Sequence, residues 1–146
     1  MIVLDTNVLS EALKPSPSRT VLDWLASQEP LSVYVTAITQ AELLYGIEVP
    51  PSGRRKSHLS VVITQLFAED FRGRVLPFDG EAAVVFAKVV ASRKSGGNPI
   101  SQFDAMIAAI ARSRGATVAT RDTGDFKDCG LRVVNPWLAG PESSRS

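Results

Sequence analysis

The sequence predicts an α/β fold of three α/β/α layers around a central, mostly parallel five-stranded sheet. Three observations lead there. Short apolar runs rich in β-branched residues alternate along the chain with longer segments of helical period. Strands separated by helices need crossover connections, which make the strands parallel and put helices on both faces. A chain of 146 residues, 45% hydrophobic and 21% charged, fits one globular domain with its own core.

Residues 2–4 read as the first buried strand, and Thr6 opens a helix that stops before Pro15. Residues 18–28 carry Val21, Leu22 and Leu25 at helical spacing, and Pro30 ends the run. Residues 32–35 form a second strand. A helix from about Thr39 continues to the break at Pro50-Pro51-Ser52-Gly53. Leu59, Val62, Ile63, Leu66 and Phe67 then make one apolar stripe of helical period. Residues 74–78 supply a third strand, after which Asp79 caps a helix striped by Ala82, Val85, Phe86, Val89 and Val90. Beyond the loop Gly96-Gly97-Asn98-Pro99, residues 101–114 form a helix apolar almost all round, and such a helix is covered on most sides. Residues 116–120 and 131–134 give the last two strands. With no repeat or linker, residues 1–139 read as one domain and the polar tail 140–146 as disordered.

A formal net charge of +1 excludes a strong global attraction to polyanions, so any nucleic-acid affinity must come from local cations. Cys129 is the only cysteine, which excludes an intramolecular disulfide and a cysteine zinc cluster and suits a reducing compartment. The start of the chain lacks signal-peptide character and no apolar run approaches a membrane span, so the expected location is the cytoplasm.

Four acids stand out, each with an ordinary structural explanation. Asp5 follows a strand and suits a helix N-cap. Glu42 lies three residues after Thr39, and Asp104 three after Ser101, the spacing of a capping box. Asp122 can close a turn. Together they carry more. In a parallel sheet, strand C-termini and the helix starts that follow share one edge, where ligands bind at the point of strand reversal. Asp5 and Asp122 follow strands, and Glu42 and Asp104 fall in first helical turns, so all four reach that edge. Asp104 also shares a face with Ile107, Ala108 and Ala111, which directs its charge inward and demands a partner. The one nearby cation, Arg121, alternates with Asp122 and is expected to point elsewhere.

Carboxylates that converge without cations repel and raise one another's pKa values, and a divalent ion relieves that repulsion. Oxygen ligation without His or Cys suits magnesium or manganese, ions that also bind phosphate oxygens. The chemistry that follows is metal-assisted phosphodiester hydrolysis.

The blocks Ile2-Val3-Leu4-Asp5-Thr6-Asn7-Val8-Leu9, Thr39-Gln40-Ala41-Glu42-Leu43, Phe103-Asp104-Ala105-Met106-Ile107-Ala108-Ala109 and Ala119-Thr120-Arg121-Asp122-Thr123-Gly124-Asp125-Phe126 resemble the PIN-domain family. Within it they are most like the VapC and FitB toxins of type II toxin–antitoxin systems, as is the closing Val134-Asn135-Pro136-Trp137. The resemblance covers nearly the whole chain. It implies a Mg2+- or Mn2+-dependent ribonuclease, usually a homodimer, inhibited by a cognate antitoxin protein that contacts promoter DNA. It makes Asp5 and Asp104 the principal metal ligands, Glu42 the acid completing the site and Asp122 the fourth. Asp125 is a substitute or helper, because related sequences often keep the acid of the Asp-Phe pair. Thr6, Asn7 and Thr120 become supporting groups that orient carboxylates or contact phosphate.

Other residues have plainer readings. Arg54-Arg55-Lys56 and His58 read as a solvated loop or helix start, and Arg112 and Arg114 as helix-end cations. Trp24 and Trp137 read as packing residues, and the stripe from Leu59 to Phe67 as core or a groove for an antitoxin helix. Glu11 faces either the substrate channel or water. Two functions compete: a catalytic endoribonuclease toxin, and a weakly catalytic binding partner of a DNA-binding antitoxin. A phosphatase is disfavoured because Asn7 stands where a second nucleophile-motif aspartate is needed.

Overall fold

The computed structural model describes residues 1–139, so the expectation for the tail lies outside the described residues. The elements follow the predicted order, with strands β1 (Ile2–Leu4), β2 (Val33–Thr36), β3 (Val75–Leu76), β4 (Thr117–Ala119) and β5 (Val133–Val134). The helices are α1 (Thr6–Ala12), α2 (Arg19–Ala26), α3 (Ala37–Glu48), α4 (Arg54–Gln65), α5 (Gly80–Ser95) and α6 (Gln102–Ser113). Every strand pair is parallel, and the order across the sheet is β3-β2-β1-β4-β5.

That order follows from burial. β1 contributes Val3 to a core on one face and Leu4 to a core on the other, both nearly inaccessible. A strand buried on both faces belongs at the centre. Val3 pairs with Tyr34 of β2 and Val118 of β4, so successive elements wind outward on either side of β1. The reversal therefore falls between β1 and β4. One core packs α5 and α6 through Val89, Ile107 and Ile110, joined by Phe126 from beyond β4, and the other packs α1 and α2 through Val8, Leu9, Val21 and Trp24. As its all-round apolar sequence implies, α6 is central: Ala105 and Ile107 through Ala111 are all buried.

Local differences from the sequence reading have local causes. Helix α3 starts at Ala37 rather than near Thr39, because β2 runs into it without a loop and Thr36 caps it. The Thr36 hydroxyl accepts from Thr39 N at 3.1 Å. Pro30 does not stop α2, which already ends at Ala26; it opens a short 3-10 turn, Pro30–Ser32. The stripe from Leu59 to Phe67 continues past α4 into a π turn, Leu66–Asp70, and only Ile63 within it is fully buried. The Arg54-Arg55-Lys56 run forms the first turn of α4. None of the described helices is long and apolar enough to cross a membrane.

Arg93 on α5, unmarked in the sequence reading, holds two distant segments together. It is 5% exposed, and its Nε donates to Asn98 O at 2.7 Å. Its Nη1 donates to the carbonyls of Asp125 and Lys127, both at 2.8 Å. Carbonyl dipoles thus solvate a buried cation and pin the 3-10 turn Thr123–Phe126 against α5. Replacing this side chain leaves three partly buried carbonyl acceptors without their donor. Arg93→Ala is expected to lower the unfolding free energy by roughly 2–4 kcal/mol. Urea denaturation measures this, and stability within about 0.5 kcal/mol of the parent contradicts the pinning role.

Candidate active site

The C-terminal ends of β1 and β4 open into a cleft of about 470 Å³. Asp5, Glu42, Asp104, Asp122 and Asp125 all line it, together with Thr6, Asn7, Glu11, Lys14, Arg121 and Trp137. All four sequence-predicted acids, and the alternate Asp125, therefore reach one site at the strand reversal.

Asp5 is the most enclosed of them, at 6% exposure. It follows β1 directly, and its backbone N–H continues the sheet by donating to Ala119 O at 2.9 Å. Its Oδ1 accepts from Thr6 N at 2.8 Å, so Asp5 caps α1 at the first helical N–H rather than at the second or third. Its Oδ2 accepts from the buried Thr120 hydroxyl at 2.7 Å. The cap and the site residue are one side chain, and each oxygen keeps a further lone pair. Burial pushes the Asp5 carboxyl from 3.8 to about 6; Asp104 and Glu42 add to the rise, while the bonds from Thr120 and Thr6 oppose it.

Glu42 is half-buried in the second turn of α3, not the first, since the helix starts earlier than expected. Its capping-box explanation disappears with that shift. The Thr6 hydroxyl donates to Glu42 Oε1 at 2.8 Å and lies 3.0 Å from the buried Thr39 hydroxyl. Asp104 is the third residue of α6, and its backbone N–H donates to the Ser101 hydroxyl at 3.2 Å, so half of the expected capping box forms. Its side chain is half-buried rather than fully inward, because it opens onto the cleft. Burial again raises the Asp104 carboxyl; the Ser101 hydroxyl opposes, and the charges of Asp125 and Asp122 add to the rise.

Asn7 organises the far wall. Its Nδ2 donates to Thr120 Oγ1 and to Asp122 Oδ2, each at 3.2 Å, and its Oδ1 accepts from Arg121 N at 3.3 Å. Thr120 Oγ1 also accepts from Asp122 N at 3.1 Å. Asp122 and Asp125 are both exposed and stand three apart across the 3-10 turn, a spacing that puts them on one side. Thr6, Asn7 and Thr120, expected to orient the acids, thus each hold at least one of them.

Several expectations change. Arg121 does not point away, because the chain leaves extended geometry after Thr120 and strand alternation no longer applies; its guanidinium lies 5.3 Å from the centre of the Trp137 ring. Trp137 packs on one core as expected but also lines the cleft. Glu11 is buried at the cleft wall, accepting from Ser18 N at 3.1 Å and pairing with Lys14 Nζ at 3.0 Å; the Lys14 bond lowers its carboxyl pKa. Lys14 has one sequence signal, its place three residues after Glu11, and it lies just beyond the end of α1.

Among the described residues, none of the five acids forms an ion pair with Lys, Arg or His. Nor is any group of three His, Cys, Asp or Glu side chains drawn tightly enough to enclose an ion. The donors nonetheless fit magnesium or manganese. They are all oxygen, and magnesium binds through one or two carboxylates while keeping most of its waters. A tight protein cage is therefore not required.

A model of the PIN domain family matches residues 2–130. VapC ribonuclease Y4jK of Sinorhizobium fredii is 43% identical over 137 residues, covering 94% of this chain and 98% of that protein. Toxin FitB of Neisseria gonorrhoeae is 43% identical over 137 residues, covering 94% and 99% respectively. The solved structure of FitAB bound to an IR36 DNA fragment matches at a TM-score of 0.91 and 41% identity, covering 96% of this chain and 98% of that one.

A carboxyl raised from 3.8 to about 6 by burial costs the fold about 3 kcal/mol when ionised. Its favourable contribution is complete below pH 4 and is lost as pH rises through about 6. Metal-free Asp5→Asn is thus expected to be more stable than the parent at pH 7.5, with the gap closing towards pH 4. Thermal melts of both proteins across that range measure it; a gap that does not vary with pH contradicts the assignment.

Proposed function

The chain belongs to the PIN-domain family, and from that premise we propose that it is a metal-dependent endoribonuclease, the toxin of a type II toxin–antitoxin pair. Asp5, Glu42, Asp104 and Asp122 are its catalytic and metal-holding residues, Asp125 is their helper, and Mg2+ or Mn2+ is the cofactor. The observation that carries this reading is the buried Asp5 carboxylate facing other acids with no ion pair among the described residues. Such an arrangement is costly for a structural role and useful for binding a cation.

A bound divalent ion supplies a water of lowered pKa and neutralises charge developing on the phosphoryl group. The chain's own groups supply the positions. Thr120 and Thr6 N hold Asp5 by one bond to each oxygen, so the carboxylate cannot rotate without breaking both. The Thr6 hydroxyl holds Glu42 and Asn7 holds Asp122, which aims the opposite walls at the same space. Asp104 enters from the start of α6, where the helix dipole favours a negative group. The cleft is open, as an RNA backbone requires.

The partners follow the relatives. Toxin FitB is a toxin by name, and FitAB is a complex seen on DNA. This chain is accordingly read as a homodimer that binds a cognate antitoxin protein and reaches promoter DNA only through it, with RNA as its own substrate. The reading as a weakly catalytic antitoxin partner gains nothing from the cleft, which Asp5, Glu42, Asp104, Asp122 and Asp125 all line.

Antitoxin-free protein with Mn2+ is expected to cleave single-stranded RNA, and Asp104→Asn to abolish cleavage while melting like the parent. Thr120→Val, which removes the hydroxyl from Asp5 and Asp122, should reduce cleavage or metal affinity by about 10–100-fold. Undiminished cleavage by Asp104→Asn would falsify the assignment. If that variant still shifts promoter DNA together with the antitoxin, binding and catalysis are separate properties.

A further inference from the structure

Resting on that nuclease reading, we infer that Arg121, whose guanidinium carbon stands 5.3 Å from the centre of the Trp137 ring, is a phosphate-binding residue that grips the RNA backbone beside the scissile position. A cleft lined by six acids, of which only Glu11 is ion-paired among the described residues, repels a polyanion beyond whatever charge a bound metal cancels, so its rim must supply cations. Two cations line it, Lys14 and Arg121. Lys14 is already committed to the buried Glu11 at 3.0 Å. Arg121 is exposed and, among the described residues, forms no ion pair despite its neighbour Asp122.

The arginine is built into place. Asn7 Oδ1 accepts from its backbone N–H at 3.3 Å, and its carbonyl accepts from Asn135 Nδ2 at 3.5 Å. Asn135 Oδ1 in turn accepts from Trp137 N at 2.9 Å, so one side chain sets both Arg121 and its platform. Trp137 is fixed from behind by the core. A guanidinium over a ring keeps N–H donors for an anion, and its planar fork suits two phosphate oxygens. With the arginine over its ring, Trp137 acts here as the arginine's support and not as a seat for a base. Asn7 also holds Asp122, so the phosphate grip and the acidic wall are set by one residue.

The test uses a short single-stranded oligoribonucleotide. Arg121→Ala should raise KM about ten-fold while kcat stays within about three-fold. Trp137→Leu should raise KM in the same direction, and Trp137→Phe should restore it. RNA binding by fluorescence anisotropy, with Mn2+ and in the Asp104→Asn background, should show a salt slope shallower by about 0.7 for Arg121→Ala, one phosphate contact on a single strand. Arg121→Lys should recover that slope but not the full affinity. A KM and slope like the parent's, or a raised KM with an unchanged slope, overturns the grip while leaving the nuclease reading intact. A parent that binds RNA but does not cleave it, with the slope still reduced by Arg121→Ala, overturns the nuclease reading alone. Absence of any RNA binding overturns both.

Discussion

A carboxylate placed where the sheet reverses direction is the constraint on which the rest depends. Asp5 emerges from a strand buried on both faces, so its side chain enters a region with little water. Removing a charge from water is expensive, and the neighbouring acids enlarge the cost. The surrounding groups respond in the only ways open to them. The Thr120 hydroxyl and the Thr6 backbone N–H donate to Asp5, and burial raises its pKa to about 6. Stability is surrendered at one point of an otherwise well-packed domain, as happens where a site is kept ready for a ligand.

Around that point, small polar side chains carry the geometry. Thr6 reaches α3, while Asn7 reaches both β4 and the turn beyond it, so α1 acts as a spacer between the two halves of the sheet. Parallel topology makes this economical, because the loops following β1 and β4 emerge side by side. Arg93 works from the opposite face and fixes the turn bearing Asp125 through carbonyls rather than carboxylates. Its charge therefore leaves the acids free of an internal salt bridge.

Acids dominate the lining of the cleft, and the two cations that complete it are Lys14, just beyond the end of α1, and Arg121, in the loop after β4. A chain whose formal net charge is only +1 gains little from long-range attraction. Its affinity for a polyanion has to be assembled at short range, which is why the placement of one arginine matters more here than the total count.

The sequence by itself determined the order of elements and which acids gather at one sheet edge. Ile2 to Leu4, the stripe of Ala82 to Val90 and the all-round apolar α6 are local periodic signals, and a period needs no knowledge of distant partners. The sheet edge of Asp5, Glu42, Asp104 and Asp122 followed from parallel topology alone. Tertiary structure decided what depends on contacts between residues far apart in the chain. It put β1 at the centre, since strand order depends on which faces are covered. It made Thr36 rather than Thr39 the cap of α3 and moved Glu42 into the second turn. It put Asp122 and Asp125 on one side of a 3-10 turn and swung Arg121 onto Trp137, where strand alternation had pointed it away. Arg93 left no sequence signal at all. Its partners are backbone carbonyls, which every residue carries, so only the fold could select them.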